Sequence, residues 1–239
     1  MNTVGVILAS GSGNRFDVQN TPKHLTLILG IPIIVWTIKS AIISKLFSSI
    51  VVVTRDQDSL KTKKIIDKYF SENIFPIRIT KGSSERIDSF FLGLEDLISA
   101  DLVKEDSIVA LFDANRPFTP VKILNDLYIA AEEFGCSCPV RPVVNGIAQI
   151  DLNYIIDVPD KLNYVEYVTP EFMQLAILKD AQDKYGHTYS SLVEYSLALN
   201  VKPSTCKASI LSAKLTFPED RTFLEGLALD NNLVFNSQS

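Results

Sequence analysis

The sequence predicts an α/β fold: a mostly parallel twisted sheet flanked by helices, with a short antiparallel β-arm inserted. Three observations carry this. Apolar runs of strand length alternate with longer segments of helical period. Those runs are apolar throughout rather than at every second residue, as in strands covered on both faces. Between residues 138 and 168 the alternation stops, and short strand-like pieces parted by turn dipeptides replace it.

Taken in order, Val4–Ala9 reads as a buried strand and Ile33–Ile43 as a helix entered through Pro32, a residue suited to a first turn. Ile50–Thr54 is the next strand. It leads to a helix over Ser59–Phe70, with Leu60, Lys63, Lys64 and Asp67 on the wet side. Phe75–Thr80 forms a strand and Ser84–Ile98 a helix. Ser107–Phe112 is a further buried strand, closing at Asp113 and followed by a helix over Val121–Phe134. In the arm, Pro139–Val144, Ala148–Ile150 and Tyr154–Val158 are parted by Asn145-Gly146 and Pro159-Asp160, both turn signals. Helices resume at Glu171–Asp180 and Ser190–Leu199. Thr216-Phe-Pro-Glu219 reads as a capping box with proline in the first turn, opening the last helix. One domain is expected over residues 1–239, and the apolar content of the 138–168 arm points to a partner surface on a second subunit.

Composition narrows the function classes. With 239 residues, 46% of them hydrophobic and 21% charged, the chain has the make-up of a globular protein with a substantial core. A net charge of −5 argues against nucleic acid or an anionic membrane as partner, since both reward surplus Lys and Arg. The longest apolar stretch, Leu25–Ile38, is broken by Gly30 and Pro32 and falls short of the roughly 20 residues of a membrane span. No basic and apolar leader opens the chain, so a cytoplasmic location is expected. Cys136, Cys138 and Cys206 are odd in number and form no Cys-x-x-Cys motif; they are expected as small hydrophobes with reduced thiols. His24 and His187, the two histidines, are too few for a histidine-rich metal site.

Ligands of parallel sheets bind beyond the carboxyl ends of the strands, and three chemistry-bearing loops fall there. The first, Ser10-Gly11-Ser12-Gly13, lets backbone N–H groups approach an anion closely, with Arg15 and Lys23 adding positive charge. It is neither a dinucleotide fingerprint, because the third glycine position holds Phe16, nor a Walker loop, because no Gly-Lys-Ser/Thr follows. The others are Thr80-Lys81-Gly82-Ser83-Ser84 and Asp113-Ala114-Asn115-Arg116.

The stretch Ala9-Ser-Gly-Ser-Gly-Asn-Arg15-Phe16, with Pro22-Lys23-His24-Leu25, resembles the signature of GT-A-like, Rossmann-like nucleotidyltransferases. More closely it is similar to the cytidylyltransferases acting on methylerythritol phosphate or ribitol phosphate. Four later blocks match that family in order: Gly82-Ser-Ser-Glu-Arg86-Ile-Asp-Ser89, Asp113-Ala-Asn-Arg116-Pro-Phe118, Thr169-Pro-Glu171-Phe172 (Thr-Pro-Gln-x-Phe in the family), and Lys214-Leu-Thr-x-Pro218-Glu-Asp220. The similarity covers nearly the whole chain.

What the resemblance implies is an enzyme in which a substrate phosphate oxygen attacks the α-phosphorus of CTP and Mg²⁺-bound pyrophosphate leaves. Positioning and charge carry most of such chemistry. Arg15 and Lys23 would hold the triphosphate, and Lys214 would brace the reacting phosphates from the other side. Ala9, Ser10, Gly11, Ser12, Gly13, Gly82, Ser83, Ser84, Ser89, Asp113 and Ala114 would bind the nucleotide. The acceptor would fall to Asp113, Arg116, Thr169 and, from the arm into a partner's site, Lys161. No side chain is assigned as a metal ligand; Mg²⁺ is expected on the CTP phosphates.

Departures from the family pattern bear on the acceptor. Ser83 and Ser84 stand where the family carries a glycine and an acidic residue. Lys161 replaces an arginine and lacks its bidentate fork. In Pro139-Val-Arg-Pro-Val143-Val-Asn145 the hydroxyl expected for methylerythritol phosphate is missing at Val143. The expected acceptor is therefore an alditol phosphate (ribitol, glycerol or similar) used for a surface polysaccharide, and the expected assembly a homodimer. Methylerythritol phosphate and a catalytically silent nucleotide-binding protein are the alternatives.

Overall fold

A computed structural model describes residues 2–11, 22–71 and 75–233. In chain order these form β1 (Thr3–Ala9), β2 (Leu27–Ile28), β3 (Ile31–Pro32), α1 (Ile33–Ser44), β4 (Ser49–Thr54), α2 (Asp56–Phe70), β5 (Ile77–Lys81), α3 (Arg86–Ser99), β6 (Ile108–Asp113) and α4 (Val121–Phe134). Then come β7 (Cys136–Pro142), β8 (Gln149–Asp151), β9 (Tyr154–Asp157), β10 (Val165–Tyr167), β11 (Glu171–Gln174), α5 (Leu175–Tyr185), α6 (Leu192–Ala198), β12 (Ser204–Lys207) and α7 (Asp220–Asp230). Among the described residues the main sheet has eight strands in the order β10-β7-β11-β6-β1-β4-β5, with β12 beside β7. Strands β5, β4, β1 and β6 run parallel; β11 enters antiparallel between β6 and β7.

The apolar runs fold this way because alternate residues feed two cores. Ile7, Ile50 and Val52 pack under α1, α2 and α4; Val4, Val6, Val51 and Val53 face α3, α5 and α6. A third cluster joins Ile28, Ile33, Trp36 and Phe118 to Leu215 and to Leu224 and Leu227 of α7. It pins the end of the chain against the loop that follows β6. Register then sets the depth of the site: Leu8 pairs with Asp113 and Ala9 with Thr54, so three strand ends lie level.

The structure corrects the sequence-based expectation in three places. Glu171–Gln174 is a strand, not the first turn of a helix, and helix α5 begins at Leu175. Its residues have good helix propensity, but the slot between β6 and β7 outweighs that weak local preference. Ser204–Lys207 forms a strand that no apolar run announces. No capping box forms at Thr216: α7 starts at Asp220, whose carboxylate reaches back to accept from the Thr216 and Phe217 N–H groups at 2.7 and 2.8 Å.

In the arm, β8 pairs with β9 and β10 with β7. Its apolar side chains face outward, with Val144 80%, Leu152 85% and Leu162 84% exposed. Cys136 and Cys138 are buried and Cys206 half-buried, all three as free thiols. Among the described residues no helix is long and apolar enough to cross a membrane.

Helix α3 carries two side chains of the site and lies close on the sheet through Gly93. A Cβ there would meet Val53 Cγ2 at 2.6 Å and Val6 Cγ1 at 2.8 Å. Gly93→Ala is expected to destabilise the fold by about 1–3 kcal/mol through overpacking, more than the gain of up to about 1 kcal/mol in helix propensity. Urea unfolding reads this, and a variant as stable as the wild type would contradict it.

Candidate active site

Three strand ends build the site. Beyond β1, Ser10 donates to Ser89 Oγ of α3 at 2.9 Å. The Ser83 N–H donates to the same oxygen at 3.0 Å, and Ser89 donates to the Ser83 carbonyl at 3.1 Å. Ser89 is wholly buried, so this triangle fixes the turn after β5 against the loop after β1. Gly82 is required between them: a Cβ would lie 2.8 Å from both Ser10 Cβ and Ser89 Oγ. Its N–H donates to the Thr54 carbonyl at the end of β4. Neither Ser83 nor Ser84 caps α3, whose N-cap is Glu85 without a side-chain bond. The result is a tight cluster of small residues just beyond Ala9, the last residue of β1.

Beyond β6, Asp113 collects cations from three segments. Lys214 Nζ is 2.8 Å from one carboxylate oxygen and Arg116 Nε 3.5 Å from the same one; Arg86 is 3.6 Å from the other. Burial alone would push this carboxyl up, but Lys214, Arg86 and Arg116 together outweigh it and hold it well below the usual carboxylate range. Burial lowers Arg116 despite the Asp113 charge. Arg116 also donates to the Ser212 carbonyl at 2.6 Å. The Ala114 N–H bonds the Leu8 carbonyl, and Thr37 of α1 donates to the Ala114 carbonyl at 2.9 Å.

The terminal segment is stitched onto this loop. The Leu215 N–H donates to the Asn115 carbonyl at 2.9 Å, and Asn115 Nδ2 returns a bond to the Leu215 carbonyl at 2.6 Å. Lys23 joins from the other end of the chain, donating to the Thr216 carbonyl at 3.2 Å. Lys23 and Lys214 thus serve one short segment.

Of the residues expected from sequence, the structure brings Ser10, Gly82, Ser83 and Ser89 into one contact set. Asp113, Ala114, Arg116 and Lys214 form a second, with Lys23 joined through Thr216. Gly11 and Ser84 lie exposed in their loops. Thr169 is 4% exposed, and its hydroxyl has no partner among the described residues. Lys161 lies in the exposed arm and donates to the Val144 carbonyl at 2.8 Å, not to the Asp113 cluster. Arg15, Ser12 and Gly13 fall outside the described residues.

Two participants went unassigned from sequence. Arg86, within the Gly82–Ser89 motif, reaches Asp113 and also Glu171, whose side chain is 1% exposed. Burial raises Glu171, countered by Arg86 and the Val193 N–H. His24, next to Lys23, is buried with Nε2 2.9 Å from Thr62 Oγ1 of α2. It anchors the turn that carries Lys23.

A mostly parallel α/β sheet with basic side chains gathered beyond its strand ends suits a phosphorylated ligand, and likeness to known proteins places the chain among the cytidylyltransferases, which are CTP-dependent nucleotidyltransferases. A family model described as 2-C-methyl-D-erythritol 4-phosphate cytidylyltransferase (IspD) matches residues 3–226, so the chain belongs to that family. Relatives carry two names. The ribitol-5-phosphate cytidylyltransferase of Lactiplantibacillus plantarum is 25% identical over 218 residues, covering 90% of this chain and 93% of the relative. The 2-C-methyl-D-erythritol 4-phosphate cytidylyltransferase of Syntrophus aciditrophicus is 29% identical over 231 residues, covering 93% and 94%. The crystal structure of 4-diphosphocytidyl-2C-methyl-D-erythritol synthase from Anaerococcus prevotii shares the fold, with a TM-score of 0.76 at 20% identity over 95% of this chain and 98% of the other.

The buried histidine makes stability pH-dependent. Burial pushes His24 down to about 4; Asp58 opposes this, while Arg55 and Lys61 add to it. Between that value and the ordinary histidine range the unfolded chain binds the proton and the folded chain does not, so stability falls as pH falls. A loss of about 2 kcal/mol is expected from about pH 7 to about pH 5, and His24→Gln should remove it. Denaturant midpoints at the two pH values test this; equal pH slopes in wild type and variant would contradict it.

Proposed function

We propose that this chain transfers the cytidylyl group of CTP to an alditol phosphate (ribitol 5-phosphate, glycerol phosphate or a related polyol), giving a CDP-alditol and pyrophosphate for surface polysaccharide synthesis. A phosphate oxygen of the acceptor forms a bond to the α-phosphorus while the bond from that phosphorus to the β-phosphate oxygen breaks. No side chain need become covalently attached. The observation that carries this is the Asp113 cluster: cations from separate segments, fixed in place before any ligand arrives, on the strand edge where an α/β sheet takes its ligands.

In this scheme Lys23 and Arg15 hold the triphosphate, and Lys214 exchanges its Asp113 contact for phosphate oxygens when CTP binds. The small residues Ala9, Ser10, Gly82, Ser83 and Ser89 take the pyrimidine, with the exposed Gly11 and Ser84 contributing from the same two loops. Their serine hydroxyls and backbone amides offer the donors and acceptors for the base edge. Asp113 accepts from sugar or polyol hydroxyls, Arg116 faces the acceptor phosphate, and the orphaned Thr169 hydroxyl gains a partner.

Mg²⁺ would enter on the phosphate oxygens and neutralise the departing pyrophosphate. The chemistry of the site fits that arrangement, since Lys214, Arg86 and Arg116 surround the Asp113 carboxylate and leave the phosphates as the oxygen donors for the ion. The exposed apolar arm is read as the contact with a second copy, through which Lys161 would approach the partner's site. Sedimentation velocity is expected to give a dimer, and a monomer at assay concentration would contradict it. A cytoplasmic location, where thiols stay reduced, belongs to the same proposal.

The second reading, methylerythritol phosphate as acceptor, is favoured by the Syntrophus relative and by the family description. Val143, without a hydroxyl, favours the alditol. Pyrophosphate release from CTP, Mg²⁺ and a panel of polyol phosphates separates them. Turnover of ribitol or glycerol phosphate is expected; turnover of methylerythritol phosphate alone would establish the other acceptor. Lys23→Ala and Lys214→Ala should each lower kcat by roughly 100- to 1,000-fold, and near-normal kcat in both would remove the assignment.

A further inference from the structure

We propose that Glu171, Arg86, Asp113 and Lys214 form a ladder of alternating charge in which Glu171 is a positioning residue acting on the site through Arg86. This rests on the placement of Asp113 and Lys214 in the active site made above. Antiparallel pairing sets Glu171 of β11 opposite Leu111 of β6. Asp113 lies two residues beyond Leu111 on the same strand, so both carboxylates project from one face of the sheet as diagonal neighbours. Side by side and nearly dry, they would repel. Arg86 bridges them: its guanidinium is 3.6 Å from Glu171 Oε1 and 3.6 Å from Asp113 Oδ1, while Nη1 donates to the Ser190 carbonyl at 2.5 Å.

The far end of the ladder is rigid. Glu171 Oε2 accepts from the Val193 N–H at 3.1 Å, and its side chain is 1% exposed. Arg86 and Lys214, 36% and 35% exposed, are the members that solvent and ligand can reach. A planar fork can serve two carboxylates and a carbonyl at once; a lysine ammonium cannot span them. Glu171 therefore touches no substrate. It draws Arg86 into one orientation, Arg86 shares the negative charge of Asp113, and Asp113 sets where Lys214 waits.

The test is a double-variant cycle of Arg86→Ala and Glu171→Gln. It follows pyrophosphate release with whichever polyol phosphate the wild-type enzyme turns over, alongside thermal unfolding. Glu171→Gln keeps the shape and the acceptor for Val193 but removes the charge. It should lower kcat about ten-fold, the scale of a lost charged hydrogen bond, with KM for CTP within about two-fold. Arg86→Ala should cost more and also lower Tm, since it strands buried Glu171 and takes one of three cations from Asp113; Arg86→Lys should recover only part of the rate. In the Arg86→Ala background, Glu171→Gln should cost no further activity and should raise Tm, because the stranded charge is gone. An undiminished ten-fold loss in that background, or unchanged kcat for Glu171→Gln in the wild type, would overturn the proposal. If no polyol phosphate is turned over, the functional reading fails while the Tm cycle still decides the coupling: a double variant no more stable than Arg86→Ala overturns the ladder.

Discussion

Asp113 is a carboxylate with a side chain 12% exposed, and its ionised form survives only because three cations surround it. Drying a carboxylate costs several kcal/mol, and attraction repays this only when geometry and hydrogen bonding are good. The converse matters as much. Lys214, Arg86 and Arg116 repel one another, and the carboxylate they share lets them crowd one edge of the sheet. An uncharged residue at this place would remove the carboxylate all three share, leaving Arg116 on the Ser212 carbonyl and Arg86 on Glu171 and the Ser190 carbonyl.

The rest of the fold supplies that edge. Buried parallel strands hold their ends level, and the pairing of Leu8 with Asp113 puts the carboxylate beside the loop after β1. The bond from Thr37 to the Ala114 carbonyl and the paired bonds between Asn115 and Leu215 stop the loop from swinging away. The apolar contacts of α7 then hold the terminal segment, so that Lys214 is positioned by packing as well as by charge. Such preorganisation is what charge-stabilising catalysis needs, because no group has to be moved at the moment of reaction.

The fold was legible where it is written in contiguous apolar residues. The strands around Val4, Ile50 and Ile108 and the helix Val121–Phe134 emerge directly from periodicity, since strands covered on both faces leave an unbroken apolar run. The strands Glu171–Gln174 and Ser204–Lys207 were not legible: each is four residues long, with no apolar run of its own, and exists because a neighbouring strand edge needed a partner. In the site, Asp113, Arg116, Lys23 and Lys214 were picked out by their motifs, while the bond joining Lys23 to Thr216 spans 193 positions and lies beyond any local pattern. The pairing of Arg86 with Glu171 was hidden for the same reason. Glu171 is also masked by its setting, because a carboxylate heading a helix-favouring segment reads as a helix surface residue until the strand places it inside.

A crystal structure of the CTP–Mg²⁺ complex tests the central claim most directly, since it shows where the triphosphate lies relative to the two lysines drawn from opposite ends of the chain. The account predicts phosphate oxygens within about 4 Å of both Lys23 Nζ and Lys214 Nζ, the range of an ion pair. A triphosphate bound elsewhere, with Lys214 still on Asp113 and Lys23 still on the Thr216 carbonyl, would contradict it.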